Sequence, residues 1–520
     1  MQLSLPNCPV FLAGPPGAGK SWLGRRAAER LGVPLADTDD EVEGLTGLSP
    51  AQILRGPGEK VLRRAEADGV RRLPDGFRLV ALGGGALVHD TTRREVRRRG
   101  PVVGLSASAD ALWHRLQESH LERPLVSSRD ELEALLRGRD PTYRIADHAL
   151  DAEHLDEKLI DRLAAWLGET GWTRARVGES ESRVLVGANL ERAAAAAVRC
   201  LSPTRPIVWI EDEGVPEARR QSYFEAIAGV GTEVVRIGVP GGEATKTWTL
   251  LGDSLERAAA AGGGRQSVVV GLGGGATTDL AGMVAGLLGR GAPLVTIPST
   301  LLAQVDAAVG GKCAVNLETG KNLAGLFHPA RDVLVDRSLL DSLPADEWRA
   351  GLAETFKMAL LAGEPLFSNL LAHPEVGVRD LTAAIRAKAD VVASDPFEEG
   401  PRRCLNLGHT LGHALERASG YRLRHGDAVA KGIAAMTRWS ENRGLLDPSI
   451  GSRIRAAQQA LGLPGLPGRS EIEPALFHIA ADKKGNRSEG TVVGLTDIGE
   501  PALIRIEWDQ LRMELASLED

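Results

Sequence analysis

An apolar run, CPVFLAG, leads straight into GPPGAGKS at residues 14–21 and from there into the helical pattern SWLGRRAAERLG, which Gly32 stops. No other feature of this 520-residue chain restricts its fold as much. The run fits G-x-x-x-x-G-K-[S/T], and the flanking strand and helix supply the context in which that motif has meaning. Glycines let main-chain N–H groups wrap around phosphate oxygens, and a helix N-terminus adds partial positive charge. Gly14, Pro15, Pro16, Gly17, Ala18, Gly19, Lys20 and Ser21 therefore form the expected ATP site. Lys20 would reach the β- and γ-phosphates, and Ser21 would hold Mg²⁺.

The strand–helix alternation continues through VPLADTD, FRLVALGGG and PVVGLSAS. This pattern implies an α/β fold with a parallel sheet covered on both faces. A second α/β pattern runs through RVLVGANL, PIVWIED, EVVRIGVP, SVVVGLGGG and PLVTIPST. From about Leu339 long helical segments take over, among them WRAGLAETFKMALLAG and DAVAKGIAAMTRWSENRG. The expected division is a P-loop domain at residues 1–168, a linker at 169–182, an α/β domain at 183–338 and a mostly helical domain at 339–520. The linker reading rests on the polar, glycine-punctuated text GETGWTRARVGESES. A cut within it is expected to leave two active pieces.

Charge and cysteine usage exclude some classes. A net charge of -7 argues against a nucleic-acid binder, and the Arg-rich run TTRREVRRRG reads as a solvated helix face. Four scattered cysteines without a CxxC pair suggest neither a disulfide framework nor a thiolate zinc site. No leader pattern or membrane-length apolar run is present, so a cytoplasmic protein without a membrane partner is expected.

After the P-loop come Asp37 and Asp39 in ADTDD, Arg63 in GEKVLRRAE, Gly84 in ALGGGA, Arg123 in RPL and Arg139 in RDPTYR. In this order they resemble shikimate kinase, over roughly residues 5–168. The resemblance implies that Asp39 contacts the ring hydroxyls of shikimate and orients or deprotonates the acceptor. It also implies that Arg63 and Arg139 grip the carboxylate, as forked guanidinium groups do well. Gly84 would bring its backbone to the substrate, Arg123 would lie on a lid over ATP, and Asp37 would join Ser21 at Mg²⁺. Leu62 stands where the family usually has phenylalanine, which suggests looser packing there. Another small-metabolite kinase, the alternative, would lack the double-arginine clamp.

Further on, GLGGGATTDLAG at residues 271–282 opens a helix after an apolar run. VPGGEATK supplies an acid and a lysine, IPSTLLAQVDAAVGGKCAVN supplies Asp306 and Lys312, and GKNLAGLFHP supplies Lys321 and Asn322. Several lysines among glycines and apolar residues suggest an anionic ligand held against the backbone. Glu354 in LAETFK and three histidines in LNLGHTLGHALERASGYRLRHG, His409, His413 and His425, complete the set. A carboxylate with histidines suits a divalent ion with an open position. Spacing alone would pair His409 with His413, one helical turn apart.

From about Arg183 to the end these motifs, with the late DKK, resemble 3-dehydroquinate synthase. Such enzymes cyclise a seven-carbon keto-acid phosphate (DAHP) to 3-dehydroquinate, release phosphate, and use NAD⁺ catalytically. The resemblance assigns Glu354, His409 and His425 to Zn²⁺ or Co²⁺, and places His413 near the substrate phosphate. It assigns NAD contacts to Gly241, Gly242, Glu243, Ala244, Thr245 and Lys246, to Gly275, Ala276, Thr277, Thr278 and Asp279, and to Ser299, Thr300, Lys312, Lys321, Leu339, Leu340, Asp341 and Ser342. DAHP contacts fall on Arg290, Asp306, Lys312, Asn322, Lys357, Lys388, Arg402, Asn406, His413, Lys483 and Lys484. By the same resemblances the catalytic residues are Lys20, Asp39 and Arg123 in the kinase, and Lys357 and His413 in the synthase. Arg290 matches a position that reaches a neighbouring subunit, which implies a homodimer. Thr278 replaces a glycine and is expected to crowd the nucleotide turn, while Ser299 replaces a threonine and keeps the hydroxyl. A related sugar-phosphate cyclase, a metal-dependent polyol dehydrogenase, and a degenerate scaffold half are the alternatives. The last predicts missing ligands or a broken P-loop, and the sequence shows neither. The two implied activities are not consecutive steps toward chorismate, so product handover between them has no simple rationale.

Overall fold

The computed structural model describes residues 5–118, 126–479 and 488–518. The chain forms two compact units, one of Met1–Thr173, Arg183–Arg205 and Gln221–Val234, the other of Arg174–Ser182, Pro206–Arg220 and Val235–Asp520.

In the first unit, strands β1 (Pro9–Ala13), β2 (Leu35–Asp37), β3 (Arg78–Ala81), β4 (Val102–Ser106) and β5 (His148–Asp151) make a parallel sheet in the order β2-β3-β1-β4-β5. Every residue of β1 is buried, as a strand covered on both faces requires. The helix Lys20–Leu31 turns Leu23, Ala27 and Ala28 onto the sheet. It ends at Gly32, whose left-handed backbone lets its N–H reach the carbonyls of Ala28 and Glu29. The sheet order sets β2 two strands from β1, which brings Asp37 to the side of the P-loop.

Two expectations are corrected here. Residues 169–182 are not an irregular linker: β6 (Gly171–Val177) and β7 (Ser180–Gly187) run through them around a turn at Gly178. Trp172, Ala175 and Val177 are buried while Arg174 and Arg176 are exposed, the two-residue alternation of a strand hidden among glycines and charges. Nor is TTRREVRRRG a plain solvated face. It lies in the helix Asp90–Arg99, but Arg97 is only 6% exposed and is ion-paired with Asp147.

In the second unit, β8 (Ile207–Asp212), β9 (Val234–Val239), β10 (Val269–Gly273), β11 (Leu294–Pro298) and β14 (Asp332–Asp336) are ordered β14-β11-β10-β8-β9. Between β11 and β14 the chain forms a hairpin of β12 (Lys312–Leu317) and β13 (Gly320–Phe327). Long helices follow, interrupted by a second hairpin, β15 (Glu489–Asp497) and β16 (Glu500–Glu507), whose turn is at Gly499. Among the described residues no helix is long and apolar enough to cross a membrane.

Small residues bring the helices of this unit close. A Cβ at Gly432, in the helix His425–Asn442, would lie 1.9 Å from the carbonyl oxygen of Gly408. A Cβ at Gly426 would lie 2.2 Å from the Cα of Ala350, in the helix Ala345–Ala362. Only glycine permits backbones this near, and the approach draws the start of the helix His409–Ala418, His425 and the middle of Ala345–Ala362 together.

Candidate functional sites

The P-loop ends where Gly19, with φ 85°, caps the helix that Lys20 begins. The Lys20 ammonium donates to the carbonyls of Gly14 and Pro15 at 3.0 Å each, poised over the loop. The Ser21 hydroxyl donates to Asp37 Oδ2 at 2.8 Å, and Asp37 Oδ1 accepts from the Asp39 N–H at 3.0 Å. A hydroxyl and a carboxylate side by side at the mouth of a phosphate loop are a fitting donor set for Mg²⁺.

The glycine turn after β3 passes between the expected substrate residues. A Cβ at Gly83 would lie 3.0 Å from Asp39 Oδ1, one at Gly84 3.2 Å from the Pro16 ring, and one at Gly85 2.4 Å from Arg63 Nη2. Arg139 Nη1 and the Tyr143 hydroxyl both donate to the Gly84 carbonyl, at 3.1 and 2.9 Å. Asp39, Arg63, Gly84 and Arg139 are thus gathered beside the P-loop, whereas Arg123 lies outside the described residues. Arg63 is buried against Glu66, with both carboxylate oxygens at 2.9 Å, and also meets Glu59 at 2.9 Å. Burial favours its neutral form, but the two glutamates outweigh this and raise its pKa. For Glu66 burial prevails over Arg63, and its pKa is raised. Leu62 is 3% exposed and packs in a cluster with Val42, Ile53 and Ala65. Sequence reasoning missed Glu66 and Tyr143. Their signal was helical spacing, three residues after Arg63 and four after Arg139.

In the second unit Glu354 is fully buried. Its Oε1 lies 3.5 Å from His409 Nε2 and 3.3 Å from His425 Nε2, while Lys357 Nζ is 2.5 Å from Oε2. Each of the three residues offers a ligand atom within 4.8 Å of the others, and the remaining ring nitrogens are occupied by Leu407 O and Glu416 Oε2. This donor set fits a divalent cation with a position left open. Burial works against charge on Glu354, yet Lys357, His409 and His425 hold its carboxyl well below the usual range. Burial and the Lys357 charge push His409 down to about 3, so it stays neutral, the form that binds metals. His425 lies between two carboxylates that overcome burial and raise it to about 10. A cation among the three ligands would replace that proton.

The pairing of His409 with His413 that spacing suggested is not what the fold gives. Among the described residues His413 groups with Glu416 and His425 instead, and its ring is edge-on to His409 at 5.3 Å. Glu416, missed from sequence, accepts from or shares a proton with His425 Nδ1 at 3.3 Å. It fixes the ring whose Nε2 faces Glu354. Glu416→Gln is therefore expected to weaken binding of Co²⁺ or Zn²⁺ by about 10–100-fold, measured by titration against a chelating dye. Unchanged affinity would show that Glu416 does not orient His425.

A cavity of about 600 Å³ beside the three ligands is lined by Asp306, Lys312, Asn322, Lys357, Lys388, Arg402 and Asn406, all expected substrate residues. Lys388 is ion-paired with Asp306, which sits in a single π-helical turn. Burial favours the neutral acid, but Lys388 and Lys357 bring Asp306 down to about 2. Lys312 pairs with Glu398, which also accepts from Asn406 at 2.8 Å. Glu398 was missed because DPFEEG reads as an ordinary polar loop. His413 lies in an adjoining cavity of about 390 Å³ with Lys321, Asn322 and His425. Arg290 is exposed on a left-handed turn and lines neither cavity, and Lys483 and Lys484 lie outside the described residues.

The expected dinucleotide residues divide. A cavity of about 490 Å³ is lined by Gly242, Glu243, Gly275, Ala276, Ser299, Thr300, Lys321, Leu339 and Ser342. Gly241 adjoins it, with φ 75° and room for no side chain: a Cβ there would lie 2.3 Å from Asp212 Oδ1. Asp212, at the end of β8, also lines the cavity and was missed. A strand-end acid beside glycine turns is a suitable partner for ribose hydroxyls, so the residues fit a dinucleotide. Ala244, Thr245, Thr277, Leu340 and Asp341 do not line this cavity. Lys246 and Asp279 pair with each other, burial pushing Asp279 up to about 6, and Lys312 faces the cationic cavity. Thr278 does not crowd the turn. It is buried, and its hydroxyl donates to Gly275 O at 3.0 Å within the first helical turn.

Three family models match: shikimate kinase at residues 16–167, the 3-dehydroquinate synthase N-terminal domain at 236–350 and its C-terminal domain at 351–485. The chain is 38% identical over 351 residues to 3-dehydroquinate synthase of Paracoccus denitrificans, spanning 63% of this chain and 96% of that protein. It is 40% identical over 341 residues to 3-dehydroquinate synthase of Mesorhizobium japonicum, spanning 62% and 90%. A solved 2-deoxy-scyllo-inosose synthase, complexed with carbaglucose-6-phosphate, NAD⁺ and Co²⁺, is 25% identical with a TM-score of 0.59, covering 66% of this chain and 99% of that one.

Proposed function

The chain belongs to the 3-dehydroquinate synthase family and carries a shikimate kinase domain ahead of the synthase, and we propose that it is a bifunctional enzyme of the shikimate pathway. It phosphorylates shikimate with ATP and cyclises DAHP to 3-dehydroquinate with release of phosphate. The observation that carries the synthase half is the convergence of Glu354, His409 and His425 beside a cavity lined by Lys312, Lys357, Lys388 and Arg402. Identity of 38–40% to dehydroquinate synthases, against 25% to the inosose synthase, favours DAHP over a related sugar phosphate.

In the kinase site, Arg63 and Arg139 hold the shikimate carboxylate, and Asp39 orients the acceptor hydroxyl toward the P-loop and takes its proton. Lys20 leaves the carbonyls of Gly14 and Pro15 for the β- and γ-phosphates, and Ser21 and Asp37 hold Mg²⁺. In the synthase site, Glu354, His409 and His425 hold the divalent ion, and the cavity of Asp212, Gly242 and Gly275 holds NAD⁺. When bound, the ion eases loss of a hydroxyl proton from DAHP, and NAD⁺ takes up and returns hydride. Lys312, Lys388 and Arg402 bind the anionic groups of the substrate and draw phosphate away as it leaves. Lys357 neutralises Glu354 on the side away from the histidines, and His413 is near enough to move a proton at the substrate. Exposed Arg290 fits a homodimer in which it reaches the second copy's site, and the scattered cysteines without a CxxC pair fit a reducing cytoplasm.

Purified protein given DAHP, trace NAD⁺ and Co²⁺ or Zn²⁺ should release phosphate in large molar excess over NAD⁺. Given ATP, Mg²⁺ and shikimate it should form ADP and shikimate 3-phosphate. Absence of either reaction removes the corresponding half of the assignment.

A further inference from the structure

Asp147 lies between the helix Arg129–Tyr143 and β5, a few residues beyond Arg139 and Tyr143, which both hold the Gly84 carbonyl. Its side chain is 0% exposed. Three donors meet it: Arg97 Nη1 at 3.3 Å, the Val102 N–H at 2.8 Å and Arg183 Nη2 at 2.5 Å. Arg97 Nη1 also donates to Ile145 O at 3.2 Å, so the stretch leading out of the Arg139 helix is clamped at both Ile145 and Asp147. Arg97 belongs to the segment matched to shikimate kinase, but Arg183, on β7, lies sixteen residues beyond its end at 167. A second element from beyond that limit joins it. Cys200, in the helix Glu191–Leu201, packs against the apolar cluster of Phe11, Val80, Ile145 and Ala146.

Three physical consequences follow. A buried carboxylate is stable only with its partners in place, and removing one leaves its charge less fully compensated. Without Arg183, Asp147 keeps Arg97, but at the longer 3.3 Å and through the same Nη1 that already serves Ile145 O, so the carboxylate is held less firmly. The slack appears at the end of the helix that aims Arg139 at the substrate, whereas the P-loop is attached to β1, in the middle of the sheet. We propose that Arg183 is a positioning residue for the kinase: the shikimate-gripping arginine is held in register by an arginine that lies past the kinase-matched segment. Residues Arg183–Arg205, which belong to the first compact unit, are then a working part of the kinase. A cut at residues 169–182 therefore does not yield two independent pieces, contrary to the expectation from sequence.

The inference rests on the shikimate kinase reading, and its test has one arm that needs no activity. In the full chain, Arg183→Leu should raise the KM for shikimate about 10-fold, with kcat and the KM for ATP changed less than about twofold, because ground-state grip on one substrate is what is lost. Arg183→Lys, which keeps a charge for Asp147, should recover most of the affinity. An unchanged KM for shikimate, or equal losses for both substrates, would overturn the proposal. In the second arm a protease site is placed in the exposed turn at Gly178 and Glu179, and the folded chain is cut. The pieces should elute together from a sizing column in wild type, and separate at lower urea in Arg183→Leu. Free separation of the wild-type pieces would overturn the docking on its own. If wild type forms no ADP from shikimate while Arg183→Leu still loosens the cut pieces in urea, the kinase reading fails and the docking stands.

Discussion

Lys20→Ala is expected to slow ATP-dependent phosphorylation of shikimate by roughly 10²–10³-fold or more, while phosphate release from DAHP continues at the wild-type rate. The Lys20 ammonium is seated over the loop, 3.0 Å from two of its carbonyls, and Arg115 donates to the Gly17 carbonyl at 3.3 Å. Lys20 is the charged side chain of the loop itself, so its loss leaves the β- and γ-phosphates to main-chain dipoles, Mg²⁺ and more distant arginines. Its removal leaves the loop fold intact, because Gly14, Gly17 and Gly19 set the backbone rather than the lysine. Coupled detection of ADP, with phosphate release from DAHP measured in the same preparation, checks the expectation. Loss of both reactions would mean that one site serves both.

Glu354→Gln should abolish DAHP turnover and also destabilise the fold. The carboxylate is fully buried with Lys357 at 2.5 Å, and the lysine is itself 1% exposed. Burial disfavours the charged lysine, but Glu354 and Asp306 raise its pKa, so it is charged in the fold. Removing one member of such a pair costs about 3–5 kcal/mol, because the other charge stays buried. The substitution also takes the only anionic ligand from the metal set, so affinity for Zn²⁺ or Co²⁺ should fall sharply. The double variant Glu354→Gln/Lys357→Met separates the effects. It should regain most of the stability in urea unfolding while remaining unable to turn over DAHP. A double variant no more stable than the single one would show that the pair is not what Glu354→Gln disrupts.

The structure brings together residues that the sequence motifs and resemblances had singled out, since glycine, arginine and histidine chemistry stands out locally. They are the P-loop with Asp37, Arg63 and Arg139 about the Gly84 turn, and Glu354 with His409 and His425. Glu398 and Glu416 were not singled out, since a glutamate announces a role only through the lysine or histidine that the fold brings to it. Spacing also misled at His409 and His413. They share a helix face, but the carboxylate of Glu354 arrives from another helix and meets His409 together with His425. Residues 169–182 looked like a linker because glycine and charge mask the alternation of Trp172, Ala175 and Val177. Nothing local to Arg183 or Asp147 in the sequence could have paired them across 36 positions.

The most direct measurement is an anomalous difference map, at the zinc or cobalt edge, from crystals of the metal-loaded protein. A single peak bonded to Glu354, His409 and His425, with Glu416 outside bonding distance, is the expected result. A peak held by His413, Glu416 and His425 instead, or none among these residues, would contradict it.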